Sequence, residues 1–180
     1  MLLTLTGFVS YFLLDSYENK IREEENHLLN LSRVASDVME RRLYTADTLL
    51  QVAVEAYPDW SAKNQWREAD LQLQRLVKIG NGTDILALLD ESGTMVAVTR
   101  AELRGQNFAY RYYFEKAKSL DNPNERVISP PFQSVLGDYT FTISRKIVGA
   151  DGKFLGVAMA TIDTPFLSKL LGSTLYATDM

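Results

Sequence analysis

The chain has 180 residues, of which 46% are hydrophobic and 23% are charged, which is the composition of one globular domain. Its formal net charge of −4 argues against a nucleic-acid-binding protein, because such proteins usually carry a basic face. It contains no cysteine, which excludes thiol catalysis, disulfides and cysteine metal sites. Its single histidine, His27, lies among charged and polar residues and is interpreted as a solvated helix-surface residue. We therefore expect no metal site and no cofactor.

Residues 1–14 carry no charged side chain. A membrane-spanning helix needs about 20 apolar residues, so this run is too short to span a membrane by itself. It is either the outer part of a transmembrane helix that starts before this chain or a buried helix end. We favour the first, because the run is continuously uncharged and passes directly into a charged segment. That segment, residues 15–25, has few lysines and arginines, which favours an outward-facing position.

A long helix is predicted over residues 15–57, where neither proline nor glycine occurs after Ser16, and Pro58 is predicted to end it. Apolar residues recur along it in two stripes at helical spacing. The first stripe contains Leu28, Leu31, Ala35, Val38, Leu49, Val52 and Ala56. The second contains Met39, Leu43, Ala46, Leu50, Ala53 and Tyr57. Two stripes indicate two neighbours, the domain's own sheet and a partner helix in a homodimer; a helix packed only on its own domain is an equal alternative.

The remaining elements are predicted as a second helix, five strands, a short helix between the second and third strands, and a last helix after the fifth strand. The helices are 65–79, 110–119 and 165–171, and the strands are 84–90, 94–99, 125–129, 139–148 and 153–163. This order predicts an α+β fold in which the long N-terminal helix packs on a five-stranded antiparallel sheet. Residues 100–137 are left to cover the other face, and a face covered by loops and one short helix favours a ligand pocket.

Arg111 and Tyr113 are the strongest candidates for ligand contacts, because they lie at the start of the short helix. A guanidinium group can form two charge-assisted hydrogen bonds with a carboxylate, and tyrosine adds an aromatic wall with a hydroxyl donor. The alternative for Arg111 is a surface ion pair with Glu115. Asp163, at the end of the last strand, can accept from a ligand ammonium group or cap the helix that starts at Pro165.

The strand 139–148 separates a polar face from a mostly apolar one. Thr140, Thr142, Ser144 and Lys146 share the polar face, which is predicted to be solvated or to line a pocket. Arg145 lies on the apolar face and is interpreted as a partner of Asp163 or as an edge residue whose charge reaches solvent. The chain has no known catalytic motif, and with one histidine and no cysteine it offers no activated nucleophile. We therefore predict that the domain is not an enzyme.

Residues 105–163 resemble the Cache superfamily of extracytoplasmic sensor domains in the segments GQNFAYRYYFEKA, ISPPF and YTFTISRKIVGADGKFLGVAMATID. The likeness is to the membrane-distal module of double-Cache sensors on bacterial diguanylate cyclases and sensor histidine kinases. The elements that precede the motif also occur in the order of that family. The resemblance implies a PAS-like sheet behind a long N-terminal helix, anchored in the inner membrane and facing the periplasm or cell exterior.

The resemblance also implies ligand-binding residues. In such sensors the arginine and aromatic residue of an R-x-[YW]-[FY] motif contact a ligand carboxylate, and here these are Arg111 and Tyr113. The acid that ends the last strand contacts the ligand in amino-acid-binding members, and here it is Asp163. Tyr139 matches a position that often lines the pocket, and Ser129 lies where the preceding strand approaches the site.

The chain departs from the amino-acid-binding subgroup in residues 126–129, which lack that subgroup's tyrosine and acid. This difference favours a small carboxylate over an amine. The predicted parts are a partial transmembrane helix (1–14), a signalling and dimerisation helix (15–57), a ligand-binding domain (58–171) and a tail toward a second lobe or membrane segment (172–180). The predicted function is to sense a small carboxylate or amino acid for a bacterial transmembrane receptor. The alternative is a ligand-free dimerisation module, and any enzymatic output domain is expected outside this chain.

Overall fold

A computed structural model describes the backbone of residues 2–80 and 83–162, and the side chains of residues 26–30, 32–80 and 83–162. The chain divides into two compact units, which are described separately, with residues up to Met39 in the first and Glu40–Lys169 in the second. Helix α1 (Leu2–Lys63) supplies the described part of the first unit and begins the second. Among the described residues, no helix is long and apolar enough to cross a membrane. The side chains of the predicted partial transmembrane helix (1–14) lie outside the described residues.

The predicted end of the long helix at Tyr57 is wrong, because α1 continues to Lys63 with Pro58 inside it. Proline lacks an N–H group and crowds the carbonyl of the preceding turn, so it usually ends or kinks a helix. Here the turn after Pro58 buries Trp60, and the ring of the buried Tyr57 lies 5.6 Å from that of Trp66. The apolar contacts of this turn offset the cost of the missing hydrogen bond.

Two further helices follow close to their predicted positions. Helix α2 (Trp66–Ile79) packs on the first two strands and buries Ala69 and Leu73. Helix α3 (Tyr112–Lys118) packs against strands near the C-terminal end of the described chain. A short 3₁₀ turn (Ala101–Leu103) precedes α3.

The sheet confirms the predicted fold class. Its strands are β1 (Thr83–Asp90), β2 (Met95–Val98), β3 (Arg126–Ile128), β6 (Thr142–Val148) and β7 (Phe154–Ile162), in the order β2-β1-β7-β6-β3. All neighbouring strands are antiparallel. A separate hairpin pairs β4 (Phe132–Gln133) with β5 (Tyr139–Thr140). The sequence predicted one strand over 139–148, whereas the chain leaves the hairpin after Thr140 and enters the sheet at Thr142.

The two faces of the sheet have different covers. On one face lie α1 and α2, and the Tyr57 hydroxyl of α1 donates to the Leu155 carbonyl at 3.1 Å. On the other face lie α3, the loop before it and the β4–β5 hairpin. Successive strand residues alternate between these faces, so Leu86 and Leu88 point away from the cluster that contains Ile85 and Leu89.

Candidate ligand-binding site

A cavity opens on the α3 face of the sheet, where the sequence predicted a pocket. Its empty volume, which includes open solvent at the mouth, is about 380 Å³. Strands β1 and β7 contribute Ile85, Met159 and Thr161 to its lining. The turn of the β4–β5 hairpin contributes Val135 and Leu136, both well exposed.

Arg111 lies on the lining immediately before α3. Its backbone is extended, and its carbonyl accepts the N–H groups of Phe114 and Glu115 at 3.0 and 3.1 Å, which begins the helix. Its guanidinium carbon lies 5.2 Å from the ring centroid of Tyr110 and 5.1 Å from that of Phe132, within cation–π distance of both. No carboxylate of the described residues pairs with Arg111, and the alternative ion pair with Glu115 does not form.

Tyr113 lies beside Arg111 on the same cavity and is only 3% exposed. Its ring centroid is 6.1 Å from that of Phe132, so one aromatic residue of the hairpin contacts both predicted ligand residues. Burial raises the pKa of the Tyr113 hydroxyl well above its usual value, and the positive charge of Arg111 only partly opposes this. The hydroxyl therefore stays protonated at neutral pH and remains a donor, and no described residue accepts a hydrogen bond from it.

The three other hydroxyl groups on the lining already bond to the backbone. Thr161 accepts from the Ile85 N–H at 2.9 Å, and Ser134 accepts from the Leu136 N–H at 3.1 Å. The Thr140 hydroxyl donates to the Ile162 carbonyl at 3.2 Å or the Phe141 carbonyl at 3.3 Å. Within the described lining, Arg111 and Tyr113 are thus the polar side chains that make no hydrogen bond to the protein.

The remaining predicted site residues lie elsewhere. Ser129 is buried beside β6, where its hydroxyl donates to the Pro130 carbonyl at 2.9 Å and accepts from the Thr142 N–H at 3.0 Å. Tyr139 is 69% exposed on β5 and does not belong to the cavity lining. Asp163 lies outside the described residues. The structure therefore brings together Arg111 and Tyr113, and it separates Ser129 and Tyr139 from them.

Sequence reasoning missed most of the apolar lining and the contribution of the hairpin. Residues of β1 and β7 reach the cavity because alternate side chains of both strands face α3. The sequence showed by its alternation that Thr161 shares a strand face with Met159. It did not show which face of each strand points toward the cavity. Phe132 follows two prolines in an irregular segment, so no periodicity indicated its position.

A second charged cluster lies on the helix side of the sheet and corrects the interpretation of Arg145. Arg145 Nε donates to Asp47 Oδ1 at 2.6 Å, and Arg145 Nη2 donates to Asp47 Oδ2 at 2.9 Å. Arg145 Nη1 also donates to the Asn124 carbonyl at 2.7 Å. Both side chains are buried, so Arg145 is not a solvated edge residue, and its carboxylate partner among the described residues is Asp47. An acid between Ala46 and Leu50, on the apolar stripe of the helix, was the signal that could have predicted this pair.

Solved structures with the same architecture include domains of bacterial sensory proteins. A domain from a protein of the sensory box/GGDEF family of Vibrio parahaemolyticus is 18% identical to this chain with a TM-score of 0.67, and the match covers 86% of this chain and 64% of that one. The sensor domain of the Vibrio cholerae histidine kinase DctB is 17% identical with a TM-score of 0.63, covering 86% of this chain and 60% of that one. The chain has the fold of bacterial sensor domains. The resemblance to Cache domains is thereby confirmed at the level of the fold.

A third structure shows a ligand in this fold. The ligand-binding domain of the amino acid chemoreceptor PctC of Pseudomonas aeruginosa PAO1, in complex with GABA, is 19% identical with a TM-score of 0.60, covering 83% of this chain and 68% of that one. The matched parts of DctB and PctC are a sensor domain and a ligand-binding domain. The chain spans only about 60% of the length of the Vibrio parahaemolyticus and Vibrio cholerae domains. No family model and no curated protein matches it.

Proposed function

We propose that this domain is the ligand-sensing part of a bacterial transmembrane receptor, that it faces the periplasm or cell exterior, and that it binds a small carboxylate or amino acid. The observation that carries the proposal is the pair of unsatisfied polar side chains on one cavity, Arg111 and Tyr113. Tyr113 is buried and Arg111 is half-buried on an open cavity, so water or a ligand that enters the cavity supplies their hydrogen-bond partners. A ligand carboxylate supplies the partner for both groups.

The aromatic neighbours of Arg111 support this assignment. Contacts with the rings of Tyr110 and Phe132 restrain the guanidinium group without using its N–H groups, which lie in its own plane. Those N–H groups can then bind the two oxygens of a carboxylate with charge assistance. The protonated hydroxyl of Tyr113 adds a donor. For an amino-acid ligand, Asp163 keeps its proposed role as the acceptor for the ammonium group.

A relay from the cavity to the long helix is proposed through β6. The Ser144 hydroxyl donates to the backbone carbonyl of Tyr113 at 3.1 Å, on the cavity side of the strand. The next residue, Arg145, lies on the opposite face and binds Asp47 of α1 with two hydrogen bonds. Movement of α3 on ligand binding would therefore reach α1 through two adjacent residues. This requires that the ligand bind two arrangements of the domain with different affinity.

The membrane and dimer contacts of the receptor are part of the same proposal. Residues 1–14 would form its membrane helix, and the exposed apolar residues Leu28, Leu29 and Val34 on α1 would face the partner helix of a homodimer. These exposed residues also favour the second candidate function, a dimerisation module that binds no ligand. The two candidates differ in whether a small molecule stabilises the domain.

A binding screen of the full chain tests the proposal. At a hundredfold excess over Kd, a ligand that binds only the native state adds about 2.7 kcal/mol to the free energy of unfolding. We expect a hit from a set of small carboxylates and amino acids, loss of this stabilisation in Arg111→Gln, and its retention in Arg75→Gln, a control on the exposed side of α2. If Arg111→Gln keeps the stabilisation, the site is wrongly assigned. If no compound stabilises a chain that is dimeric in solution, the ligand-free module is the better description.

A further inference from the structure

The polar groups that can bind a ligand are concentrated at one end of the cavity. Arg111 lies immediately before α3 and Tyr113 lies in its first turn, and both contact Phe132 of the hairpin. The hydroxyl groups of Ser134, Thr140 and Thr161 are already engaged with the backbone. The described lining includes no carboxylate and no second cationic side chain. It therefore offers strong recognition for one anionic group and for no second one.

The rest of the lining is apolar and comes from the sheet, the segment before α3 and the hairpin. Ile85, Met95 and Met159 come from the sheet, Leu103 and Phe108 come from the segment before α3, and all five are buried. Val135 and Leu136 lie at the hairpin turn, half-exposed although they line the cavity. Apolar side chains at the mouth of a cavity gain most when an apolar ligand surface covers them. The two methionines are flexible and can adapt to ligand bodies of different shape.

We infer that the cavity selects a monocarboxylate with an apolar body over dicarboxylates. This inference rests on the proposed function and specifies its ligand class. The carboxylate binds Arg111 and Tyr113, and the hydrocarbon body lies against Met95, Met159 and Leu136. A second negative charge on the ligand would lie among apolar side chains without a cationic partner in the described lining, and burying an unpaired charge is costly.

A series of matched acids tests the inference on the full chain. Dissociation constants are measured for propanoate, butanoate, pentanoate and hexanoate, and for pentanedioate, a diacid of the length of pentanoate. Each added methylene group that is buried should lower Kd about fourfold. We expect pentanoate to bind at least tenfold more tightly than pentanedioate, whose second carboxylate has no cationic partner in the described lining.

Two variants locate the body of the ligand. Leu136→Ser should weaken pentanoate and hexanoate several-fold more than propanoate, because the hairpin covers the far end of the longer acids. Leu71→Ser is the matched control, since Leu71 is similarly exposed but lies on α2 and not on the cavity. Both positions are on the surface, so both variants should fold, which the unfolding midpoint checks.

The outcomes separate the inference from the function on which it rests. If pentanedioate binds more tightly than pentanoate and the binding needs Arg111, the domain is a carboxylate sensor but the inferred ligand class is wrong. The inferred class is also wrong if Leu136→Ser and Leu71→Ser alter the series equally. If no acid binds, the proposed function fails together with the inference.

Discussion

Arg111 and Arg145 lie on opposite faces of one sheet and have opposite surroundings. Arg145 is 8% exposed and has a bidentate carboxylate partner in Asp47 and a carbonyl partner in Asn124. Arg111 is half-buried between two aromatic rings and has no carboxylate partner among the described residues. The comparison shows how one residue type serves two purposes. An arginine whose guanidinium group is hydrogen-bonded to other elements joins those elements. An arginine whose guanidinium group has no such partner remains available to a ligand.

The surroundings of the two arginines extend this difference to the faces themselves. On the helix side, a second arginine, Arg126, stands directly across from Arg145 in the β3–β6 register and lies 3.5 Å from the same carboxylate. Asp47 thus offsets two neighbouring positive charges. On the cavity side, apolar groups and a single cation share an open pocket. The charges on the helix face are paired with one another, which stabilises the fold. On the cavity face, Arg111 and Tyr113 keep hydrogen-bonding groups that a ligand can use.

The largest expected effect is the loss of the helix-side pair. Asp47→Ala leaves the buried Arg145 without its counter-charge, and removing one partner of a buried pair typically costs about 3–5 kcal/mol. We expect that decrease in the free energy of unfolding, measured by urea denaturation. The control is Glu55→Ala on the exposed side of α1, which should change stability by less than about 0.5 kcal/mol.

A double variant sharpens this test. Replacing both Asp47 and Arg145 by apolar residues of similar volume, as in Asp47→Leu with Arg145→Met, removes the uncompensated charge. Such replacements are often neutral or stabilising, so the double variant should be more stable than Asp47→Ala. Equal effects of Asp47→Ala and Glu55→Ala would show that the pair does not stabilise the helix side.

An intermediate effect is expected at alkaline pH from Tyr57, which also lies on the helix side. Burial, with smaller contributions from the charges of Asp90 and Glu91, raises the pKa of Tyr57 to about 12. The stability that this raised pKa contributes is complete below pH 10, which is the usual pKa of an unfolded tyrosine. It is lost as the pH rises from 10 to 12. Two pKa units correspond to about 2–3 kcal/mol.

The variant Tyr57→Phe should therefore be less stable than the parent chain at pH 8, because its hydrogen bond to the Leu155 carbonyl is absent. Between pH 10 and 12 its stability should fall less steeply. The free energy of unfolding is measured across this range, with Tyr113→Phe as the matched variant on the cavity side. Parallel curves for Tyr57→Phe and the parent chain would contradict the raised pKa.

The smallest expected effect belongs to Arg111. Arg111→Ala removes two aromatic contacts but no ion pair of the described chain, so we expect a loss of about 0.5–1 kcal/mol by urea denaturation. Arg145→Ala should cost several times more, because it leaves Asp47 buried and unpaired. Equal costs at the two positions would remove the distinction between a structural and an available arginine.

Much of the fold was predictable because its signals are local. Strands β1, β6 and β7 show alternating or continuous apolar patterns, and turns rich in glycine separate them. The errors arose where tertiary packing outweighs a local rule. Pro58 stays inside α1 because the following turn buries Trp60, and the two-residue strands β4 and β5 are too short to show any periodicity.

For the candidate site, the sequence by itself determined the residue types and their order: an arginine and a tyrosine at the start of a short helix, before two long strands. These follow from spacing along the chain. Only the tertiary structure decided which groups are satisfied. Asp47 and Arg145 are 98 residues apart, and no periodicity in the sequence could pair them. Among the described residues Arg111 is left without a carboxylate for the same reason, because the partners of a side chain depend on how distant segments pack in three dimensions.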